Sequence, residues 1–523
     1  MKIIPSSLCI GLAVLGPIAC GSVDKPGSVV GNAGFGQAPS TGGTSGSGSA
    51  SPPYSQAGTG SDIFVPPNGG APSSGTNQCT PGNTTTISGI VYDPAGKNPL
   101  YNISVFVLDP ASPLPDLEKI PVACGCAQLL PTKVRAIGTP TDPSGHFEIP
   151  CAPSGPQTIV VQTGKWRRIY ENVNIVANQP NVIPNLRLPA NSSEGSLPNI
   201  AISTGGYDSF ECLPLRVGVS ASEYVAGSAA GGHIHIYSGL GGATPAQGAV
   251  ESRSALWDSQ AHFNEHDVVI LSCEGQETKG GAMAQQYLMN YANAGGRVFA
   301  SHLQFAWFST GPFAKLATWN AMPSAMLDDS QAFMADVNTT LPPSGAPFPG
   351  GVALAKWLGL VGALTNNQLP VWFVRDNVLA LSRPQSTEWL HLAADSPKAP
   401  SSTQYFSADT PIGSTGEKVC GRVVYSALHV SGGPNTNAPG VPVDYPAPAG
   451  SGGATGAGGA PGAAGRGAGM GNPQQPPKAK AGTVPSGCAM HPLTPQELAL
   501  EFMLFDLSSC LVPIGEEPPV ILK

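Results

Sequence analysis

Two long tracts of small and polar residues restrict where this chain can build a hydrophobic core. Glycine and proline supply 66 and 54 of its 523 residues, and glycine is concentrated in residues 20–83 and 434–487, which also contain many serines, alanines and prolines. Such segments have too few large apolar side chains to offset the conformational entropy lost on ordering. We therefore expect a disordered tether at 20–83 and a low-complexity surface insertion at 434–487, with folded domains elsewhere.

The charge balance excludes one class of partner. The chain has 25 basic and 33 acidic residues and a formal net charge of −8, whereas nucleic-acid binding depends on neutralising phosphates. We expect no nucleic-acid partner. Charged residues are only 11% of the chain, against roughly 25% in average soluble domains, and such a surface suits an exported protein.

The first twenty residues have the order of an export signal. Lys2 precedes an apolar run, Leu8 to Gly16, that is too short to span a bilayer, which takes about 20 apolar residues. The following I-A-C, ending at Cys20, resembles the end of a bacterial lipobox. That resemblance implies a signal peptide at 1–19 and lipidation of Cys20, which would anchor the protein to a membrane. Gly21 resembles the signal of outer-membrane lipoproteins, which implies the cell envelope of a Gram-negative bacterium.

Residues 84–190 have the pattern of an all-β domain. Short runs rich in β-branched residues alternate with turn residues such as those at 142–145 (DPSG), which predicts an antiparallel β-sandwich. The order SGIVYD, a valine-rich strand, TDPSGHFEI and a last valine-rich strand resembles the carboxypeptidase regulatory-like domain. That family implies an accessory or spacer module.

Residues 197–523 change to alternating strands and helices. Apolar strands such as DVVILS, at 267–272, are separated by helical stretches such as 280–293, and the segment Pro495–Leu507 reads as a closing helix. Thr494 and Glu497 have the spacing of a capping box for that helix. Such alternation predicts an α/β, flavodoxin-like domain with a mostly parallel sheet.

Four motifs of this second region carry a family resemblance. They are ISTGGYD, HDVVILS, AGGRVFASH and CGRVVYSALH, in that order along the chain. Together they resemble the class I glutamine amidotransferase-like superfamily, most closely its trehalose-utilisation-like branch.

Polar side chains follow several of the predicted strands. Cys273 and Glu274 follow one strand, His302 another and His429 a third, so a thiol, a carboxylate and two imidazoles could share one crevice at the strand ends. They are the candidate catalytic residues of a hydrolase. The amidotransferase family, however, carries its cysteine in a Gly-x-Cys-x-Gly elbow, and the matching position here offers Ser301-His302.

No metal or cofactor site is predicted from sequence. His233 and His235 alternate on a strand and could share a face, but a third ligand is not evident. The aromatic tract FAWFSTGPFAKLATW, at 305–319, could stack on sugar rings or form core. We therefore expect a surface-anchored lipoprotein with a non-catalytic binding or envelope-organising role and carbohydrate as the candidate ligand. The alternatives are a hydrolase that uses the strand-end cluster and a purely structural envelope protein.

The cysteines predict disulfides. Apart from Cys9 and Cys20 the chain has an odd number of them, so at least one thiol stays free if all pairing is internal. A Cys420–Cys488 bridge would hold together the ends of the insertion, although Cys510 is an alternative partner for Cys488. In the sandwich, Cys151 could reach Cys124 or Cys126.

Overall fold

A computed structural model describes residues 82–243, 248–320, 331–429, 442, 444 and 487–520. These residues belong to one compact unit, Asp62–Lys523. The predicted signal peptide and Cys20 lie outside the described residues, as do nearly all of the predicted tether and insertion. Within the described ranges, the helices are too short or too polar to cross a bilayer.

The N-terminal part of the described chain consists mainly of strands. They are β1 (Thr86–Tyr92), β2 (Ser104–Leu108), β3 (Val134–Ile137), β4 (His146–Ile149), β5 (Gly155–Thr163), β6 (Trp166–Ile175), β7 (Pro180–Arg187) and β8 (Gly195–Ser196). Short 3-10 turns at Leu117–Lys119 and Ala127–Leu129 lie between β2 and β3.

These strands form two sheets. One has the order β3-β2-β5-β6-β8 and is antiparallel throughout. The other has the order β4-β1-β7, in which β1 pairs antiparallel with β4 and parallel with β7. The predicted antiparallel pairing is thus confirmed except between β1 and β7.

Strand alternation places the N-terminal core between these sheets. Along β1, Ile87 and Val91 are buried while their neighbours are partly exposed, and along β4 the same holds for Phe147 and Ile149. Successive side chains of a strand point to opposite faces, so this pattern buries one face of each strand. Buried residues of both sheets belong to one hydrophobic cluster.

The C-terminal part combines strands with helices. The strands are β9 (Ile200–Ser203), β10 (Tyr224–Ala226), β11 (Ile234–Tyr237), β12 (Val268–Leu271), β13 (Arg297–Ser301), β14 (Ala317–Trp319), β15 (Phe333–Val337), β16 (Thr340–Leu341), β17 (Ala346–Pro347), β18 (Leu369–Val371), β19 (Val378–Leu381), β20 (Thr387–Leu392), β21 (Thr403–Thr410) and β22 (Gly421–Ser426). The helices are α1 (Leu213–Arg216), α2 (Arg253–Trp257), α3 (Gln260–Asn264), α4 (Ala282–Asn293), α5 (Pro349–Leu360) and α6 (Pro495–Ser508).

Ten of these strands form one large mixed sheet, with the order β10-β11-β9-β12-β13-β22-β21-β20-β15-β18. The pairings from β10 to β22 are parallel, and those from β22 to β18 are antiparallel. The sheet is therefore mixed, whereas the sequence predicts a mostly parallel sheet. Short connections such as that between Thr410 and Gly421 return the chain beside itself, and this produces antiparallel neighbours.

Helix α6 lies between the two parts of the described chain. Its capping box is present as predicted: the Thr494 hydroxyl accepts from the Glu497 backbone N–H, and the Glu497 carboxylate accepts from the Thr494 N–H. Phe505 of α6 contacts Trp166 of β6, with ring centroids 5.6 Å apart. Most of its residues are buried, because the helix has neighbours on nearly every side.

The predicted Cys420–Cys488 disulfide is wrong. Cys420 is bonded to Cys124, and Cys488 is bonded to Cys212. The prediction assumed that the two ends of the insertion meet each other, whereas each end is bonded to a cysteine elsewhere in the fold.

The pairings proposed for Cys151 are also wrong. Cys126 is bonded to Cys510, and Cys124 is already used. Cys151 is itself disulfide-bonded, but to neither of them. The loop that carries Cys124 and Cys126 is thus tied to the start of β22 and to the chain after α6. Cys273 is a free thiol, in line with the odd count.

Candidate functional site

The parallel register brings several polar side chains to one edge of the large sheet. Ser203 pairs with Leu271, Leu271 with Ala300, and Ser301 with Ser426. Strands β9, β12, β13 and β22 therefore end side by side, and the residues that follow them meet at this edge.

Three of the four candidate catalytic residues come together there. Cys273 Sγ lies 3.3 Å from His302 Nδ1, and the rings of His302 and His429 are 4.1 Å apart between centroids. One ligand-type atom from each of these residues lies within 4.8 Å of those of the other two. We call these three residues the Cys–His–His cluster.

His302 has an unusual backbone. Its φ is +51°, in the left-handed region that residues other than glycine rarely adopt. The turn directly follows β13, and the Tyr425 hydroxyl donates to the His302 carbonyl at 3.0 Å. A sharp turn therefore follows β13. The residue in this turn is a histidine, whereas the Gly-x-Cys-x-Gly elbow would place a cysteine there.

Burial keeps the cluster uncharged at neutral pH. Burial raises the pKa of the Cys273 thiol to about 12. It also lowers the pKa of His429 to about 3 and holds the pKa of His302 well below its usual range, with the Arg375 cation adding to both effects. A protonated thiol therefore faces two neutral imidazoles.

Several buried polar atoms of the cluster have no hydrogen-bond partner among the described residues. The Cys273 thiol can donate to His302 Nδ1. His302 Nε2 and both ring nitrogens of His429 are buried and have no hydrogen-bond partner among the described residues. A buried polar atom that lacks a hydrogen bond lowers the stability of the folded state by about 1–3 kcal/mol. Three such atoms in one place therefore call for an explanation.

Glu274 is separate from the cluster. Its carboxylate Oε1 lies 3.1 Å from Arg253 Nε. Burial raises the pKa of Glu274, and the Arg253 cation opposes that shift. This candidate is an ion-pair partner of α2 and is not part of the thiol–imidazole group.

The other histidines singled out from sequence have structural partners. His233 Nδ1 lies 2.6 Å from Glu223 and its Nε2 lies 3.2 Å from Glu118. Burial lowers the pKa of His233, but these two carboxylates outweigh it and the pKa is raised. His235 donates from Nδ1 to the Gly227 carbonyl at 2.8 Å and packs on the His266 ring.

The aromatic tract is core. Phe305, Trp307, Phe308 and Phe313 are all buried, and Trp257 packs against Trp307 with ring centroids 5.0 Å apart. These buried rings are not available to stack on a sugar.

Sequence reasoning missed the residues that surround the cluster from the β18 side. The Phe373 ring lies 4.9 Å from that of His429, and Phe373 also has a positive φ, +56°. Arg375 follows two residues later and is itself buried. Their segment, VWFVRDN, carries no local pattern that marks it as part of a site.

A cleft separate from the Cys–His–His cluster lies elsewhere in the C-terminal part. It has a volume of about 440 Å³ and shares no residue with the Cys–His–His cluster. Its wall is formed by Leu341–Ser344, Arg383–Thr387, Asp409, Gly413–Gly416, Val419, Pro513, Ile514 and Glu516.

No protein-family model and no curated protein sequence matches the chain. Among solved structures, a cytoplasmic protein from Salmonella typhimurium is 13% identical, with 45% of this chain and 89% of that chain covered and a TM-score of 0.25. The mmIFT52 N-terminal domain is 10% identical, with 37% and 72% covered and a TM-score of 0.24. A type II cohesin–X-dockerin complex from Acetivibrio cellulolyticus is 14% identical, with 29% and 88% covered and a TM-score of 0.15. Likenesses this weak carry no argument about fold or function.

Proposed function

We propose that this protein is a lipoprotein of the outer membrane of a Gram-negative bacterium, anchored through Cys20, with a non-catalytic binding or envelope-organising role. Residues 84–190 would act as a carboxypeptidase regulatory-like spacer. The region from 197 onward would be a flavodoxin-like, amidotransferase-like domain that has lost its nucleophile. The observation that carries the non-catalytic part is the neutral, buried Cys–His–His cluster at the strand ends.

A nucleophilic cysteine needs a thiolate and access to substrate. Cys273 is fully buried, and its raised pKa keeps it as the thiol, whereas catalytic cysteines have lowered pKa values and are partly exposed. The imidazole beside it is too poor a base to take the proton, because burial holds its pKa low. These features support a site that does not form a covalent intermediate.

Disulfide usage supports export. Seven of the cysteines in the described ranges are disulfide-bonded, and Cys273 alone among them is free. Disulfides persist in oxidising compartments and are rare in the cytosol. This agrees with an N-terminal export signal and an envelope location.

The 440 Å³ cleft is the place where a ligand would bind. Arg383 and Gln385 can donate hydrogen bonds into it, and Asp409 and Glu516 can accept them. A hydroxyl-rich ligand such as a carbohydrate needs both kinds of group. No aromatic side chain is among the described wall residues, so recognition would depend on hydrogen bonds.

The anchor is tested by membrane partition. We expect Cys20→Ser to move the full-length protein from the membrane fraction to the soluble fraction, because the lipid chains supply the membrane affinity, at about 0.8 kcal/mol per buried CH₂. Cys9→Ser is the matched control, since it removes a thiol from the same segment and should leave the protein with the membrane. Equal partition of Cys20→Ser and wild type would contradict the proposed anchor.

The hydrolase alternative is tested at the thiol. The protein is first treated with a chelator, so that no bound metal shields the thiol. We expect Cys273 of the folded protein to resist alkylation by iodoacetamide at pH 8, and to react fully once guanidinium unfolds the chain. Rapid alkylation of the folded protein would show an accessible thiolate and favour the hydrolase. A purely structural role would gain support if envelope polysaccharides failed to bind the intact protein.

A further inference from the structure

We propose that Cys273, His302 and His429 bind one zinc ion inside the C-terminal part of the protein. This inference goes beyond the proposed function, because a zinc ion held by these three side chains needs neither the lipid anchor nor a ligand in the cleft. It is carried by the chemistry of the three side chains, by their spacing and by the buried nitrogens that lack partners.

The three side chains are a recognised ligand set for zinc. Zn²⁺ takes thiolate sulfur and imidazole nitrogen in tetrahedral sites, with Zn–S about 2.3 Å and Zn–N about 2.0–2.1 Å. Cys273, His302 and His429 offer one sulfur and two imidazoles, and each is at most 2% exposed. The set comes from the ends of three neighbouring strands, β12, β13 and β22, so the sheet holds the ligands rigidly.

The spacing suits a shared ion. In a tetrahedron with those bond lengths, the sulfur and a nitrogen would be about 3.5 Å apart. The Sγ–Nδ1 distance between Cys273 and His302 is 3.3 Å, and all three ligand atoms fall within 4.8 Å of one another. Small side-chain rotations would bring them to the bonding distance.

A hydrogen bond alone leaves the cluster unsatisfied. If the Cys273 thiol donates to His302, only one of the four ring nitrogens of His302 and His429 has a described partner. A metal ion would engage one nitrogen of each ring.

Zinc binding has a defined proton balance. The Cys273 thiol loses its proton to solvent, the thiolate and two neutral imidazoles each donate an electron pair to Zn²⁺, and no redox partner is needed. One proton leaves for each ion bound, and the centre carries a net charge of +1 before any fourth ligand.

The test is metal content and spectroscopy on the full-length protein. The full-length protein is produced in cells grown with added Zn²⁺, so that a closed site can be filled during folding, and the metal content of the purified protein is then measured. We expect one zinc per chain. Replacement by Co²⁺ should give the near-ultraviolet absorption of a cobalt–thiolate bond and the intense visible bands of tetrahedral cobalt.

Variants tie the ion to these residues. Cys273→Ser and His429→Gln should each weaken zinc binding by about 100-fold or more, because loss of a group that only hydrogen-bonds to a metal ligand already costs about 10–100-fold. His266→Gln is the matched control: His266 is also a buried histidine with a lowered pKa, but it lies outside the cluster. It should keep full zinc content.

Four results would overturn the proposal, the first three of which concern zinc and cobalt. These three are wild-type protein without stoichiometric zinc, cobalt protein without a thiolate band, and equal zinc loss in His266→Gln and Cys273→Ser. Intense visible absorption from a bound Cu²⁺–thiolate with no zinc uptake would also reject zinc. Wild-type metal content does not depend on whether any variant folds, and none of these results alters the membrane-partition or alkylation tests.

Discussion

Buried ionisable residues of this protein divide into those that have a counter-ion and those that do not. Arg216 is paired with both Asp444 and Glu497, and all three are buried. Among the described residues Glu501 of α6 has no such cation: its Oε2 accepts from Asn98 at 2.7 Å, and Asp93 lies beside it. Burial raises the pKa of both Asp93 and Glu501, and in Glu501 the neighbouring carboxylate adds to the rise. The folded state therefore favours the protonated form of Glu501 more than the unfolded chain does.

This pair predicts a pH dependence of stability. A carboxyl group whose pKa is higher in the folded state binds more protons there than in the unfolded chain. Its contribution to stability is therefore present below the unfolded pKa of about 4.3 and is lost as pH rises through the folded pKa. We expect Glu501→Gln, which cannot ionise, to raise the free energy of unfolding at pH 8 by at least about 1 kcal/mol and to flatten its decline between pH 5 and 8.

Urea unfolding at both pH values measures this effect. Glu497→Gln is the matched control on the same helix, and it should lower stability because it removes a partner of Arg216. A Glu501→Gln protein that is less stable than wild type at pH 8 would mean that the carboxylate is ionised and stabilising.

At the scale of elements, the β5–β6 hairpin is placed against the end of α6. Thr163 pairs with Trp166, so Gly164 and Lys165 form the turn. Gly164 has φ +52°, and a Cβ built on it would lie 1.9 Å from the Ser508 carbonyl oxygen. Lys165 adds an ion pair with Asp267, at 2.8 Å. The turn therefore needs glycine both for its conformation and for its contact with the helix.

A pair of alanine substitutions separates these two requirements. Gly155→Ala introduces a side chain at φ +83° with nothing within 4 Å, so we expect only a conformational cost of about 1–2 kcal/mol. Gly164→Ala also meets backbone at 1.9 Å, and overpacking adds about 1–3 kcal/mol. Denaturant midpoints measure the difference, and equal losses in the two variants would show that the hairpin does not contact α6 closely.

At the scale of the whole molecule, two disulfides and one helix join the N-terminal sheets to the large mixed sheet. Cys124–Cys420 and Cys126–Cys510 cross sequence separations of 296 and 384 residues. Helix α6 contributes Phe502 and Phe505, which pack on Tyr101 and Trp166 of the N-terminal part. The two parts therefore share a hydrophobic core as well as covalent links.

Removing a link should destabilise the whole fold. We expect the Cys124→Ser/Cys420→Ser double variant to lose about 2–5 kcal/mol of unfolding free energy, the usual effect of a native disulfide. Non-reducing peptide maps are the control: wild type should give cross-linked peptides for all three described bridges, and the variant should keep Cys126–Cys510 and Cys212–Cys488. A Cys420–Cys488 peptide from wild type would contradict this arrangement.

Elements that depend on local interactions could be predicted from the amino-acid sequence. Helix α6 begins at its capping box, and α4 and strand β12 lie where the sequence pattern predicts them. These features depend on residues within a few positions of one another. The odd number of cysteines also predicted at least one free thiol if all pairing is internal, but it did not predict which cysteine this is or what surrounds it.

Tertiary structure decided the rest. The antiparallel half of the large sheet depends on which short strands return beside their neighbours, and buried strands of both kinds have the same apolar composition. Disulfide partners lie hundreds of residues apart, so their pairing follows from the approach of a loop to β22 and α6. Cys273, His302 and His429 meet because β12, β13 and β22 are adjacent and in register. No local pattern encodes that adjacency, since it results from burying whole sheet faces and helices against one another.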